Sequence, residues 1–110
     1  MQESMDSLLL VMTTVSSEDD ARRIASALVE QHLVACAQIS PVESIYRWQD
    51  QLQQEKEWRL VMKTNASLYA AVEVALLNMH PYDIPAIYSV PVTNALEPYA
   101  DWVRKETVSV

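Results

Sequence analysis

The sequence predicts an α+β chain: a ferredoxin-like βαββαβ sandwich with an extended hairpin between its second and third strands (β2-β3) and an added C-terminal helix. Two patterns carry this. Trp58, Leu60 and Met62 alternate with Glu57, Arg59 and Lys63, the period of two that a half-buried antiparallel strand requires. In residues 21–29 and again in 68–79 the apolar side chains recur at helical spacing, so two amphipathic helices are interleaved with the strands. A length of 110 residues makes one domain, expected over residues 8–105, with tails at 1–7 (taken as disordered) and 106–110.

In chain order, Leu8 to Val15 is an unbroken apolar, β-branched run, the pattern of a central strand covered on both faces. Ser17 followed by Glu18, Asp19 and Asp20 starts a helix, with a capping hydroxyl and negative charge at the positive end of the dipole. Ala21, Ile24, Ala25, Leu28 and Val29 share one side of it and Arg22, Arg23, Ser26 and Glu30 the other, and the helix is expected to end near His32. Ala35 to Ile39 reads as the next strand, interrupted at Pro41 and resumed from Ser44 to Trp48. A turn is expected at Gln49-Asp50-Gln51 and a return strand from about Glu55 to Thr64. Arms of that length reach beyond one small core, and their edges need a partner or protection.

A second helix begins at Asn65 or Ser67 and carries Leu68, Ala71, Val72, Ala75, Leu76 and Met79 on one face. His80-Pro81-Tyr82-Asp83-Ile84-Pro85 follows. Each proline fixes its own φ and pushes the preceding residue toward extended geometry, so an imidazole, a phenol and a carboxylate sit on a rigid bend. Such a bend suits a binding site, but it also suits a plain helix-to-strand connection, which the sequence by itself favours by roughly two to one because turn prolines are common. Ile87 to Val92 is a strand whose Pro91 belongs at an end or edge. Asn94 and Pro98 open the last helix, with Tyr99, Trp102 and Val103 at i, i+3 and i+4.

Composition removes several functions. The chain has no glycine, so neither a Walker loop nor a dinucleotide fingerprint is present, and no nucleotide is expected on a Gly-rich loop. Less backbone entropy is lost on folding, which predicts above-average stability. A net charge of −7 with eight dispersed Lys and Arg residues argues against a nucleic-acid partner. No apolar run approaches the roughly twenty residues of a membrane span. The acidic first residues lack the basic flank of a signal peptide, and one cysteine forms no internal disulfide, so a reducing, cytoplasmic location is expected.

Metal chemistry has few candidates. Cys36 is soft enough for Cu(I), and His80, His32 and five methionines add possible ligands, yet none shows paired metal-ligand spacing. A lone cysteine beside alanines in a strand is more often a small buried hydrophobe. His80 is better placed, at the bend, although a histidine at a helix terminus also satisfies carbonyls there. Glu57 and Lys63 share the polar face of one strand, where pairing across the sheet or solvation accounts for them as well as a ligand does. Trp48, near the hairpin tip, is a natural anchor for a neighbour's pocket.

Leu33-Val34-Ala35-Cys36-Ala37, Ser44-Ile45-Tyr46-Arg47-Trp48, Glu57, Lys63-Thr64, His80 to Pro85 and Tyr99-Ala100-Asp101-Trp102 together resemble the CutA family, named for divalent-cation tolerance. The resemblance runs in register over residues 8–103. It implies a stable homotrimer, similar in architecture to PII signalling proteins, with long hairpins packed across subunit boundaries and clefts between subunits. It also implies an association with copper and other divalent metals. Carried residue by residue, it puts Glu57, Lys63 and Tyr82 in the intersubunit cleft; the residues themselves make His80, and to a lesser degree Cys36, the metal candidates and Trp48 and Tyr46 the interface candidates. Three departures stand out: a glycine usually found after Pro41 is missing, Asp50 stands where the hairpin has glycine, and Ala86 replaces a glutamate. The last removes a carboxylate from the cleft.

Three classes of function follow: a trimeric protein of divalent metal (copper) tolerance or response that binds ions weakly at the cleft, a PII-like sensor of a small anionic metabolite using Lys63 and an arginine, or an enzyme. Against the enzyme, no nucleophile, base and orienting group are visible together.

Overall fold

The computed structural model describes residues 7–107. Four strands form one antiparallel sheet in the order β2-β3-β1-β4: β1 (Leu8–Val15), β2 (Cys36–Trp48), β3 (Gln51–Asn65) and β4 (Tyr88–Pro91). The helices are α1 (Glu18–Glu30), α2 (Tyr69–Met79), which is led in by a 3-10 turn at Ala66–Leu68, and α3 (Glu97–Glu106). This is the expected ferredoxin-like sandwich with a C-terminal helix. The packed chain continues past the expected boundaries of 8 and 105. Ser7 O accepts from Ala66 N at 2.7 Å, and Thr107 is buried with its hydroxyl 2.9 Å from Asn65 Nδ2. The expected tails otherwise lie outside the described residues.

Side-chain alternation sorts the sheet into two faces. Val11, Val15, Leu60 and Met62 point one way and pack with Ile24 and Leu28 of α1 and Val72 and Leu76 of α2. Leu8 has the opposite parity. It packs with Ala35 and with Ala100 and Val103 of α3, so α3 covers one end of the other face. The rest of that second face is open, and the β2–β3 hairpin extends it: Tyr46 is 38% and Trp48 49% exposed.

Local chemistry sets the helix ends. Ser17, at φ −133°, accepts from Asp20 N at 3.1 Å and caps α1. At the other end His32 adopts φ 59°, its amide bonding Val29 O and the Leu33 amide bonding Leu28 O, a Schellman closure that usually takes glycine. Its Nδ1–H donates to Glu106 O at 3.1 Å, which ties α1 to α3 and makes His32 a cap.

Two differences from the sequence reading concern the hairpin. β2 runs through Pro41 without a break, and β3 begins at Gln51, well before Glu55. Amide directions alternate along a strand; Ala66 N donates to Ser7 O and Val92 N to Leu8 O, so odd residues of β1 bond β3 and even ones bond β4. Trp58, opposite Val15, therefore turns its amide to β1, and Pro41 opposite Trp58 turns its nitrogen away from the sheet. Pro91 opposite Leu9 does the same on the other edge. Neither proline removes a ladder bond. The run from Gln51 to Lys56, polar but for Leu52, is drawn into β3 by the register that the turn imposes, although its composition carries no alternation.

That turn has two residues, Gln49 at φ 51° and Asp50 at φ 63°, a primed geometry for which Asn-Gly is the favoured pair. A left-handed residue with a Cβ carries strain, so Asp50→Gly is expected to stabilise the chain by about 1 kcal/mol. Urea midpoints of the two proteins measure it, and a lower midpoint for the variant would mean that the Asp50 side chain supplies a compensating bond.

Candidate functional site

The bend between α2 and β4 brings the chain from the helix-covered face to the open one, and His80 pins it. Tyr82 N donates to His80 Nδ1 at 3.2 Å, so Nδ1 is an acceptor and the ring proton sits on Nε2. Nε2–H then donates to Thr14 O at 3.0 Å, with the Thr13 hydroxyl also at 3.0 Å. The imidazole thus joins the end of β1 to the bend, and its ring lies 4.9 Å from that of Tyr82. Both nitrogens are used within the chain.

Held this way, Tyr82 crosses to the open face and donates to Glu57 Oε2 at 2.7 Å. Glu57 is only 7% exposed, and no described residue donates to its Oε1. Burial first, then the hydrogen bond and charge of Glu57, hold the Tyr82 phenol far above its ordinary range, so it remains a donor. Two residues along β3 on the same face, Glu55 accepts from Tyr46 OH at 2.8 Å, and that bond raises the Tyr46 phenol. Between the bend and the hairpin arm lies a cleft of about 810 Å³, walled by Tyr46, Trp48 and Tyr82 and edged by Glu55, Glu57 and Asp83. Among the described residues no ion pair involves these three acids.

The structure brings together Glu57, Tyr82, Tyr46 and Trp48, with His80 directly behind them. It does not bring Lys63 or Cys36 to them. Those two face each other across β2 and β3 near α3, where Lys63 Nζ donates to Gln38 Oε1 at 2.8 Å. Lys63 is six residues from Glu57 along one strand, roughly 20 Å at the rise of a β-strand. His80 and Cys36 are therefore apart within one chain, and the described residues hold no group of three His, Cys, Asp or Glu side chains able to grip a metal ion. Glu55 and Asp83 also line the cleft, beyond the residues the sequence reading places there. The spacing of Glu55 from Glu57 was the signal for one, and the position of Asp83 inside the double-proline bend for the other.

An antiparallel ferredoxin-like sheet with an overlong hairpin and an acidic, aromatic cleft beneath the double-proline bend defines the class. The chain belongs to the CutA1 divalent ion tolerance protein family, whose model matches residues 9–106. The divalent-cation tolerance protein CutA of Thermus thermophilus is 39% identical over 99 residues, covering 89% of this chain and 96% of that protein. Among solved structures, CutA1 from a psychrotrophic Shewanella, described as a stable protein, superposes with a TM-score of 0.90 at 38% identity, over 94% of this chain and 97% of its own. The periplasmic divalent cation tolerance protein CutA of Archaeoglobus fulgidus gives 0.90 at 29% identity, over 92% and 99%. No helix among the described residues is long and apolar enough to cross a membrane.

The pinned imidazole has a consequence for stability. Burial holds His80 below its ordinary value near 6.5, against smaller upward pushes from Thr14 O and from the charges of Asp20 and Glu57. The fold prefers the neutral ring, while the unfolded chain takes up a proton near pH 6.5. Stability present in full above that pH is expected to fall away progressively below it. Urea midpoints measured from about pH 7 to pH 5 should decline less steeply in His80→Gln than in wild type; equal slopes would assign the acid sensitivity to other groups.

Proposed function

We propose that this chain acts in divalent-cation tolerance or response as a homotrimer that binds metal ions weakly, copper among them, at a cleft between subunits. The observation that supports it most is Glu57: a carboxylate almost wholly buried, held by one phenol, without a cationic partner among the described residues, on a cleft with two further acids. Family membership points the same way, since the matching family is described by divalent ion tolerance. The acids offer hard oxygen donors at a spacing too wide to close around one ion within a single chain, which fits weak binding completed by water or by a neighbouring subunit. His80 enters as a ligand only if the bend releases Nδ1 from the Tyr82 amide. Cys36 contributes less, because it lies at the far end of the sheet.

An anionic metabolite is the weaker alternative. Its cations would be Lys63 and an arginine, and the charged residues lining the cleft are all acids. Binding without turnover is the proposed mode, and a reducing, cytoplasmic setting is supported by the free thiol of Cys36. The trimer reading is supported by the exposed hairpin, on which Trp48 is 49% exposed with Tyr46 beside it as a second interface residue.

Light scattering at micromolar concentration should give three times the 12.5 kDa chain mass. Trp48→Ala is expected to cost roughly 3–5 kcal/mol per site through lost aromatic burial at the boundary, loosening the trimer before it unfolds the protomer. A variant that stays trimeric with unchanged thermal stability would show a ring without a socket.

Calorimetry with Cu(II) and Zn(II) tests the metal. Binding is expected in wild type, weakened by Glu57→Gln and nearly unchanged by Cys36→Ala, with His80→Ala reporting whether the bend opens. No heat from either ion below millimolar concentration would move the metabolite reading to first place.

A further inference from the structure

We infer that His80 is a positioning residue for the cleft and not one of its ligands: it holds the Tyr82 phenol on Glu57 by joining the bend to the end of β1. The inference rests on the cleft reading above for what the held groups do, and it adds which residue holds them.

Three hydrogen bonds meet at this residue. Its amide donates to Leu76 O at 2.8 Å and closes α2, Nε2–H donates to Thr14 O at 3.0 Å, and Nδ1 accepts from Tyr82 N at 3.2 Å. The last of these has the pattern of an Asx turn, in which a side-chain acceptor takes the amide two residues further on. The backbone is set for it: φ −77° and ψ 136° is the extended shape that Pro81 imposes on the residue before it. Asparagine or aspartate would make the same turn, but both are too short to reach Thr14 O as well. Glutamine has the reach and lacks an acceptor at the δ position. The imidazole combines them, with its acceptor at Nδ1 and its donor across the ring.

A ligand role would undo this arrangement. Nε2 faces Thr14 O and the Thr13 hydroxyl, which is also 3.0 Å away on a residue only 1% exposed. An ion drawn to Nε2 would take the donor away from that buried pair. An ion on Nδ1 would displace the Tyr82 amide, and with it the turn that aims the phenol at Glu57 Oε2, 2.7 Å away. The imidazole ring, 4.9 Å from that of Tyr82 and tilted to it, also supports the phenol from behind. Binding a metal and positioning Tyr82 are therefore alternatives for this side chain.

The test is NMR of the assembled, nitrogen-15-labelled protein at neutral pH, with and without Zn(II). Its two histidines are distinguishable, since His32 carries its proton on Nδ1 and His80 on Nε2. With zinc added, His80 is expected to stay in the Nε2–H form with Nδ1 free of metal. Exchange of the Tyr82 amide should be at least about tenfold faster in His80→Gln, which loses the acceptor, and less affected in His80→Asn, which keeps it. Adding His80→Gln to Tyr82→Phe should change zinc affinity by less than about twofold, because nothing is left to position. A metal-bound Nδ1 signal in wild type, or a Tyr82 amide equally protected in wild type and His80→Gln, would overturn the proposal. So would a zinc affinity lowered about tenfold by His80→Gln in the Tyr82→Phe background. If zinc does not bind the wild type at all, the metal reading of the cleft fails, and the Tyr82 exchange rates by themselves support or overturn this inference.

Discussion

The register of β3 is the constraint on which everything else depends. This strand pairs with β1 from Trp58 to Asn65 and with β2 from Gln51 to Lys63. Its alternation places Leu60 and Met62 against the two helices and Glu55 and Glu57 on the open face. A slip of one residue would exchange the two sets, putting carboxylates into the core and apolar side chains into the cleft. The core therefore enforces the site. Burying residues such as Leu60 and Met62 is worth roughly 1.5–3 kcal/mol each, a penalty that any shifted pairing would incur several times over.

Much of the fold was legible because its signals are local. The run from Leu8 to Val15, the Ser17 cap and the helical spacing of α1 each specify an element within one short window, and each element formed where expected. The hairpin was less legible because its length is decided across strands. Gln51 to Gln54 have no strand pattern of their own, and Pro41 reads as a break until the direction of its nitrogen is known. Both outcomes depend on which neighbour an amide faces, and that is a property of the assembled sheet.

The site divides in the same way. Alternation correctly puts Glu57 and Lys63 on one face, but parity reports a face and not a distance, and it gives no hint that the two are far apart. The Tyr82 to Glu57 bond joins residues 25 apart in sequence, and it was approached only through the resemblance of the bend as a whole. His80 is the sharpest case. Its residue type suggests a ligand, yet its tautomer is set by Thr14, 66 residues away, and by the amide of Tyr82 next to it. A histidine on a rigid bend can be there to make the bend rigid.

The outward-facing nitrogens of Pro41 and Pro91 have a consequence for solubility. A four-stranded open sheet presents two edges, each a row of unpaired donors and acceptors that could template strand addition from another molecule. One proline interrupts each row, removing a donor from β2 beside Trp58 and from β4 beside Leu9 without weakening the chain's own ladder. Runaway stacking, the route to fibres, thus meets a gap on either side of the sheet. In a chain with half its residues hydrophobic and no glycine to disrupt its strands, two ring-closed residues add to the protection that a net charge of −7 already gives.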